Sequence, residues 1–186
     1  MVIPFRRAQG NAQTGDEFAE LALPLFDSLY NFACWLAHDR VEAEDLVQEA
    51  YAKALKGFPS FQRGTNFRAW IFRILRNTFL NSRTGLAAAR TVAMEDEEGL
   101  ENVPAAVTRE TPETILFENA NQEAIQGAIE KLAVPFREVL LLSDVEEMSY
   151  REIAEALAIP VGTVMSRLTR ARRVLRGELQ DKVVRA

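Results

Sequence analysis

One cysteine, Cys34, and one histidine, His38, are all the soft ligands this 186-residue chain holds. No internal disulfide can form, and too few ligands remain for a structural zinc site. No apolar run approaches the roughly 20 residues of a membrane span, and the N-terminal MVIPFRR lacks a long apolar core. The chain is therefore expected in the cytoplasm, without membrane insertion. Alternating strand patterns of note are absent, as are a phosphate-binding glycine loop, a metal cluster and a nucleophile with a paired histidine. These absences leave no cofactor and no enzyme to expect. What is present is a hydrophobic fraction of 48%, which rules out wholesale disorder.

Basic charge in excess is lacking too, since the formal net charge is -5. That balance would argue against a nucleic-acid partner if the signs were mixed, but they are segregated along the chain. Residues 61 to 83 hold five arginines and no acid; residues 84 to 113 hold seven acids against Arg90 and Arg109; residues 163 to 176 again hold five arginines and no acid. Two basic segments flank an acidic one.

Helical periodicity fills most of the chain. From Asp16 to Leu36 the residues Phe18, Leu21, Leu25, Leu29, Phe32 and Ala33 recur at helical spacing, with Pro24 implying a kink or a late helix start. Asp39 and Glu42 spell a capping box for a helix that runs to Lys56 and stops at Gly57 and Pro59. Leu46, Val47, Ala50 and Ala54 share one of its faces, and Glu42, Asp45 and Glu49 share another, where only Lys53 can offset Glu49. Asn66 caps a third helix whose core stripe is Phe67, Trp70, Ile71, Ile74, Leu75, Thr78 and Phe79, leaving Phe72 and Leu80 off the stripe. Its opposite face carries Arg68, Arg73, Arg76, Asn77, Asn81 and Arg83. Periodicity then fails from 84 to 111, where Glu95 to Glu98, Gly99 and Pro104 read as a flexible acidic linker. A helix from Thr111 to about Leu132 and another from Pro135 to about Ser143 follow. The expected fold is all-α: two small helical domains, at 14–86 and 112–180, joined by an acidic linker at 87–111.

Residues 149 to 176, SYREIAEALAIPVGTVMSRLTRARRVLR, carry the most specific pattern. Ser149 and Glu152 form a capping box, Ile153, Ala154 and Leu157 an apolar stripe, Pro160 and Gly162 a break, and Val164, Leu168, Ala171 and Leu175 resume the period. This is a helix-turn-helix whose second helix bears Arg167, Arg170, Arg172, Arg173 and Arg176, suited to the major groove. Ala158 stands where the turn often uses glycine, and a left-handed conformation there costs alanine roughly 1 kcal/mol. The segment FQRGTNFRAWIFRILRN mixes aromatics with arginines, the composition that binds single strands by stacking and phosphate attraction. Phe61, Gln62, Arg63, Thr65 and Asn66 sit in the loop before its helix, where unpaired polar groups could reach an extruded base.

AEDLVQEAYAKAL at 43 to 55, FRAWIFRILRNTF at 67 to 79 and SYREIAEALAIPVGTVMSRLTRAR at 149 to 172 together resemble a bacterial extracytoplasmic-function sigma factor over nearly the whole chain. The resemblance implies a factor that binds core RNA polymerase and directs promoter-specific initiation. It implies that Asp45, Gln48 and Glu49 dock on the β′ clamp helices, with the β flap a further contact of the polymerase. It places Phe61, Arg63, Asn66, Arg73, Arg76, Asn77 and Asn81 at the promoter's -10 element, where melting is offset by capture of a flipped base. Ser166, Arg167, Thr169 and Arg170 would then face the -35 major groove, with Thr163, Arg172 and Arg173 on phosphates. The acidic run from Glu95 to Glu98 would mimic nucleic acid in the polymerase channel. VQEAYAKA and IPVGTVMSRL are similar to members held by a zinc-containing, redox-responsive anti-sigma factor, which would put the thiol sensor in the partner.

Two rival functions use the same motifs. A one-component repressor or activator would dimerise through its N-terminal half and bind a palindromic operator without polymerase. A sigma-like decoy would bind an anti-sigma protein, but the intact arginines in both basic segments count against it.

Overall fold

The structure, a computed structural model, describes residues 9–87 and 122–183. Every element among them is helical: α1 (Gln9–Ala22), α2 (Phe26–Ala37), α3 (Arg40–Gly57), α4 (Phe67–Ala87), α5 (Gln122–Glu130), α6 (Val134–Leu140), α7 (Tyr150–Leu157) and α8 (Val161–Val183). The all-α expectation holds. The run Glu95 to Glu98 and the expected helix start at Thr111 lie outside the described residues.

Breaks fall where the backbone chemistry requires them. Pro24 lies in a short 3-10 turn, Leu23–Leu25, which separates α1 from α2 and turns the single apolar stripe into two helices. Asp39 caps α3, its Oδ1 accepting from Glu42 N–H at 2.8 Å. The reciprocal half of that capping box does not form, because the Glu42 carboxylate turns to Arg83 instead, at 3.3 Å. Asn66 caps α4 by accepting from Ala69 N–H at 3.0 Å. Ser149 and Glu152 make the complete capping box of α7.

In the first body α2, α3 and α4 pack together over Leu29, Phe32, Leu36, Leu46, Val47, Ile71 and Leu75, all buried. Phe18 from α1 joins Phe58 and Phe67 in edge-to-face contacts with centroids 5.4 to 6.1 Å apart. Phe72, expected off the core stripe, is in fact buried and meets Phe32 at 5.4 Å. The single-stripe reading fails because α4 has packing partners on more than one side: α3, α2 and, from the second body, α7.

The second body is α5 to α8 around Val139, Leu142, Ile153, Leu157, Val164, Leu168 and Ala171. Arg137, almost fully buried, holds the α5–α6 turn by donating to the carbonyls of Ile129, Glu130 and Leu132 at 3.2, 2.6 and 2.9 Å. Those oxygens belong to a helix end and the turn after it, where backbone acceptors lack intrahelical partners. After α6 the chain passes through a π-helical turn, Leu141–Val145, and Glu147 takes φ 52° before Ser149 starts α7. Ala158 closes α7 at φ 54° and ψ 44°, so the left-handed state is occupied by a residue with a Cβ.

Candidate functional site

Three surfaces carry the residues that the sequence pattern singles out. On α3, Asp45, Gln48 and Glu49 are exposed, because Ala43, Leu46, Val47 and Ala50 point inward at the complementary helical positions. Glu49 pairs with Lys53 at 2.7 Å, the i,i+4 contact foreseen from spacing. Asp45 and Gln48 make no side-chain hydrogen bond or ion pair among the described residues. Beside them lies a groove of about 330 Å³ lined by Phe26, Tyr30, Glu44, Val47 and Gln48. Phe26 remains 46% exposed, and with neighbouring Leu23 at 65% it makes an apolar margin to the acidic ridge. Periodicity did not single out these two residues, since a stripe shows which residues are apolar but not which stay uncovered.

The second surface is the loop before α4 and the polar side of α4 itself. Phe61 is half-buried and packs on Phe58, Phe67 and Trp70 with centroids at 6.0, 5.4 and 5.0 Å. It supports the loop from beneath. Gly64 takes φ 88° at the loop tip, and Thr65 turns back to donate to Gln62 O at 2.7 Å. Arg63 pairs with Glu17 through its Nε at 2.7 Å and holds that carboxyl below its ordinary range. Asn77 and Asn81 face solvent.

Asn66, Arg73 and Arg76 instead meet the second body. Asn66 Nδ2 donates to Glu152 Oε1 at 2.8 Å, and Arg73 Nε donates to the Glu155 carbonyl at 2.7 Å. Arg76 Nε reaches Glu138 Oε1 at 2.8 Å and its Nη1 reaches the Leu157 carbonyl at 3.3 Å. Arg68 donates to both the carboxylate and the carbonyl of Glu146, at 2.8 and 2.7 Å. Burial pushes the Glu138 carboxyl up, against the opposing pull of Arg76.

The third surface is the helix-turn-helix. Ser166, Thr169, Arg170 and Arg173 are exposed on α8, while Thr163 and Arg167 are half-buried. Ser166 and Thr169 return their hydroxyls to the Thr163 and Met165 carbonyls at 3.1 and 2.9 Å, which fixes both side chains on the outer face. Arg172 points the other way, to Asp144 at 2.6 Å and Ser143 at 3.4 Å. It ties α8 to the π turn. Exposed Met165 and Val161 add apolar contact area beside Ser166, of the kind that meets a thymine methyl, and the charge pattern gave no sign of them.

No helix among the described residues is long and apolar enough to cross a membrane, and no cluster of three or more His, Cys, Asp or Glu there could hold a metal ion. Residues 25–88 match the family profile "Sigma-70 region 2", and residues 122–175 match "Sigma-70, region 4". The chain is 33% identical over 171 residues to the ECF RNA polymerase sigma factor SigE of Mycolicibacterium smegmatis, covering 89% of this chain and 65% of that protein. It is 32% identical over 184 residues to the ECF RNA polymerase sigma factor SigW of Bacillus subtilis, covering 97% and 98%. Among solved structures it is similar to the sigma factor RpoE of Bartonella quintana, crystallised with the anti-sigma factor NepR. That likeness has a TM-score of 0.68 at 28% identity and covers 88% of this chain and 97% of that one.

Proposed function

The chain belongs to the extracytoplasmic-function family of RNA polymerase sigma factors, and from that premise we propose that it binds core RNA polymerase and directs promoter-specific transcription initiation. The supporting observation is the outer face of α8: Ser166, Thr169, Arg170 and Arg173 stand exposed on the second helix of a capped helix-turn-helix. Such a helix enters the major groove, and its arginines pair with guanine edges or bridge phosphates. In this reading α8 takes the -35 element. Thr163 and Arg173 hold phosphates, and Arg172, tied to Asp144, positions the helix while offering its remaining donors to the backbone.

Asp45, Gln48 and Glu49, with the apolar margin at Phe26, form the surface for the polymerase clamp. Phe61, Arg63, Asn66, Arg73, Arg76, Asn77 and Asn81 serve the -10 element, with Phe61 supporting the loop and the polar residues meeting strand and base. Residues 14–86 and 112–180 act as the two working domains, and 87–111 connects them in the cytoplasm. An anti-sigma factor is a further partner, as for the Bartonella quintana relative. With one cysteine and one histidine in this chain, a zinc-containing redox inhibitor would carry its own sensor.

Run-off transcription with purified core enzyme tests the reading. Start-site-specific transcripts are expected, and Asp45→Arg should abolish them by weakening core binding. Binding to core without specific transcripts refutes the proposal, and a tight gel shift without polymerase would favour a one-component regulator.

A further inference from the structure

The loop before α4 is held from two sides. Its backbone is fixed locally: Gly64 takes φ 88°, Thr65 donates its N–H and its hydroxyl to the Gln62 carbonyl at 3.2 and 2.7 Å, and Asn66 caps the helix. The Arg63 side chain is held from α1, 46 positions away in sequence, where its Nε donates to Glu17 Oε1 at 2.7 Å and its Nη2 donates to Glu17 Oε2. The next residue of α1, Phe18, is buried against Phe58 and Phe67, and Phe61 of the loop packs on the same two rings. One aromatic cluster therefore sets the register of both partners, which brings Glu17 beside Arg63.

A carboxylate bound in this way takes two of the five N–H groups of a guanidinium, those of its Nε–Nη2 edge. The remaining donors, on Nη1 and the outer side of Nη2, have no acceptor among the described residues, and the Arg63 side chain is 71% exposed although it is clamped. The free edge carries paired donors spaced for a phosphate or a guanine edge.

We propose that Glu17 is a positioning residue for strand capture: it clamps one edge of Arg63 so that the other is presented, already oriented, to the separated promoter strand. The inference rests on the reading of the loop at 61–66 as part of the -10 surface. It gives a part in strand capture to α1, which holds none of the residues that the sequence pattern assigned to a site.

Stability does not explain the pair. An exposed ion pair contributes little to folding, and Arg63 holds the Glu17 carboxyl below its ordinary range, so the clamp stays charged through neutral pH. Its effect falls on conformational entropy instead. A free arginine on a loop loses rotamer freedom when it meets a strand, whereas a clamped one has lost most of it beforehand. Ordering one such side chain in advance raises affinity about three- to ten-fold. Charge acts in the opposite direction, because a carboxylate beside a strand-facing arginine weakens long-range attraction to DNA. Removing Glu17 therefore weakens binding if it positions Arg63 and strengthens binding if it acts only as a charge.

The test uses holoenzyme reconstituted from core polymerase and the full chain, on a template that gives a specific run-off start, premelted across the -10 element by mismatches. Fluorescence anisotropy measures the affinity of wild type, Glu17→Ala, Arg63→Ala and the double variant at about 0.3 M salt, where charges act over only a few ångströms. Glu17→Ala is expected to weaken binding about three- to ten-fold even though it removes a negative charge. The double variant should bind no worse than Arg63→Ala alone, since a residue that acts through Arg63 then has nothing left to position. Core binding and the melting temperature should not move. Unchanged or tighter binding by Glu17→Ala, or losses that add in the double variant, overturn the proposal. Should Glu17→Ala unfold early, Glu17→Gln, which keeps the shape of the side chain, decides by the same cycle. A wild-type holoenzyme without a specific start, or Arg63→Ala binding as tightly as wild type, refutes the -10 reading beneath the proposal; a loss in Arg63→Ala with none in Glu17→Ala refutes the positioning alone.

Discussion

Ala158→Gly should stabilise the protein, although it removes a methyl group and adds backbone freedom. Ala158 holds φ 54° and ψ 44°, and its N–H reaches the Ala154 carbonyl, which also accepts from Ile159 at 3.1 Å. The chain must turn left-handed there for Pro160 and Val161 to begin α8. The left-handed region costs an L-residue roughly 1–2 kcal/mol, because Cβ crowds the following carbonyl oxygen. Glycine removes that cost but gains about 0.4–1 kcal/mol of unfolded-state entropy in exchange. The difference leaves a net stabilisation of about 0.5–1 kcal/mol, and for a chain of this size a melting point about 1–4 °C higher. Urea and thermal unfolding followed by circular dichroism measure it, with an unchanged m-value showing that the unfolded state is the same. Ala158→Val, a branched residue in the same state, should destabilise. If glycine lowers the melting point, the strain assigned to this turn does not exist.

Tyr51 donates its hydroxyl to the Ala22 carbonyl at 2.7 Å, and burial, with Asp27 nearby, pushes the phenol up to about 12. Tyr51→Phe should cost about 1 kcal/mol in urea unfolding. Because the unfolded phenol ionises near 10, the stability that this group contributes is complete below that pH and lost between 10 and about 12; the Phe variant should lack this loss. His38 is shifted the other way, its protonated form disfavoured by partial burial and by the Arg137 guanidinium. A depressed histidine contributes stability above the unfolded value of about 6.5 that declines as pH falls below it, so His38→Asn, which suits the left-handed φ 60° there, should flatten the fall in thermal stability as pH drops below about 6.5. An unchanged slope in that variant would assign the acid sensitivity to other groups. Arg170→Ala should reduce discrimination at one -35 base pair by about 1–3 kcal/mol in competition gel shifts of the holoenzyme. Equal weakening on every promoter would make it a phosphate contact.

Local features were legible in the sequence to the degree that their causes are local. The α7 capping box, the Pro24 break, the left-handed Ala158 and the buried stripe of α8 each depend on residues within one or two helical turns, and each stands where the pattern placed it. The Asp39 box was half right, because Glu42 had a second suitor in Arg83, 41 residues away. Phe72 was misplaced for a related reason. A helical wheel assumes one dry side, whereas α4 is covered from two directions. The contacts between the bodies link residues 62 to 102 positions apart, and most of them end on an acid or a carbonyl that looks solvated in the sequence. Nothing in the spacing of Glu138 or Glu146 marks them as buried. The arginines of residues 61 to 83 were readable as a basic face; that the same chain supplies their oxygen partners was not.

The contacts between the bodies are selective, and the selectivity implies an order of events. Asp45, Gln48 and Glu49 on α3 and Arg170, Arg173 and Arg176 on α8 are exposed, while Asn66, Arg68, Arg73 and Arg76 are engaged. Within the proposed function, docking of the polymerase on α3 leaves these contacts in place, whereas strand contact by Asn66, Arg73 and Arg76 displaces them. A chain of net charge -5 would also be repelled by DNA at a distance, so an enzyme that docks first supplies both the proximity and the competing charge that free DNA lacks. The acids of the second body divide between two sets of arginines: Glu138 and Glu146 meet Arg76 and Arg68 of α4, while Asp144 pairs with Arg172 of α8 at 2.6 Å. Within the proposed function, polymerase binding should thus precede and promote exposure of α4, and the salt dependence of promoter binding should come from holoenzyme rather than from the isolated factor.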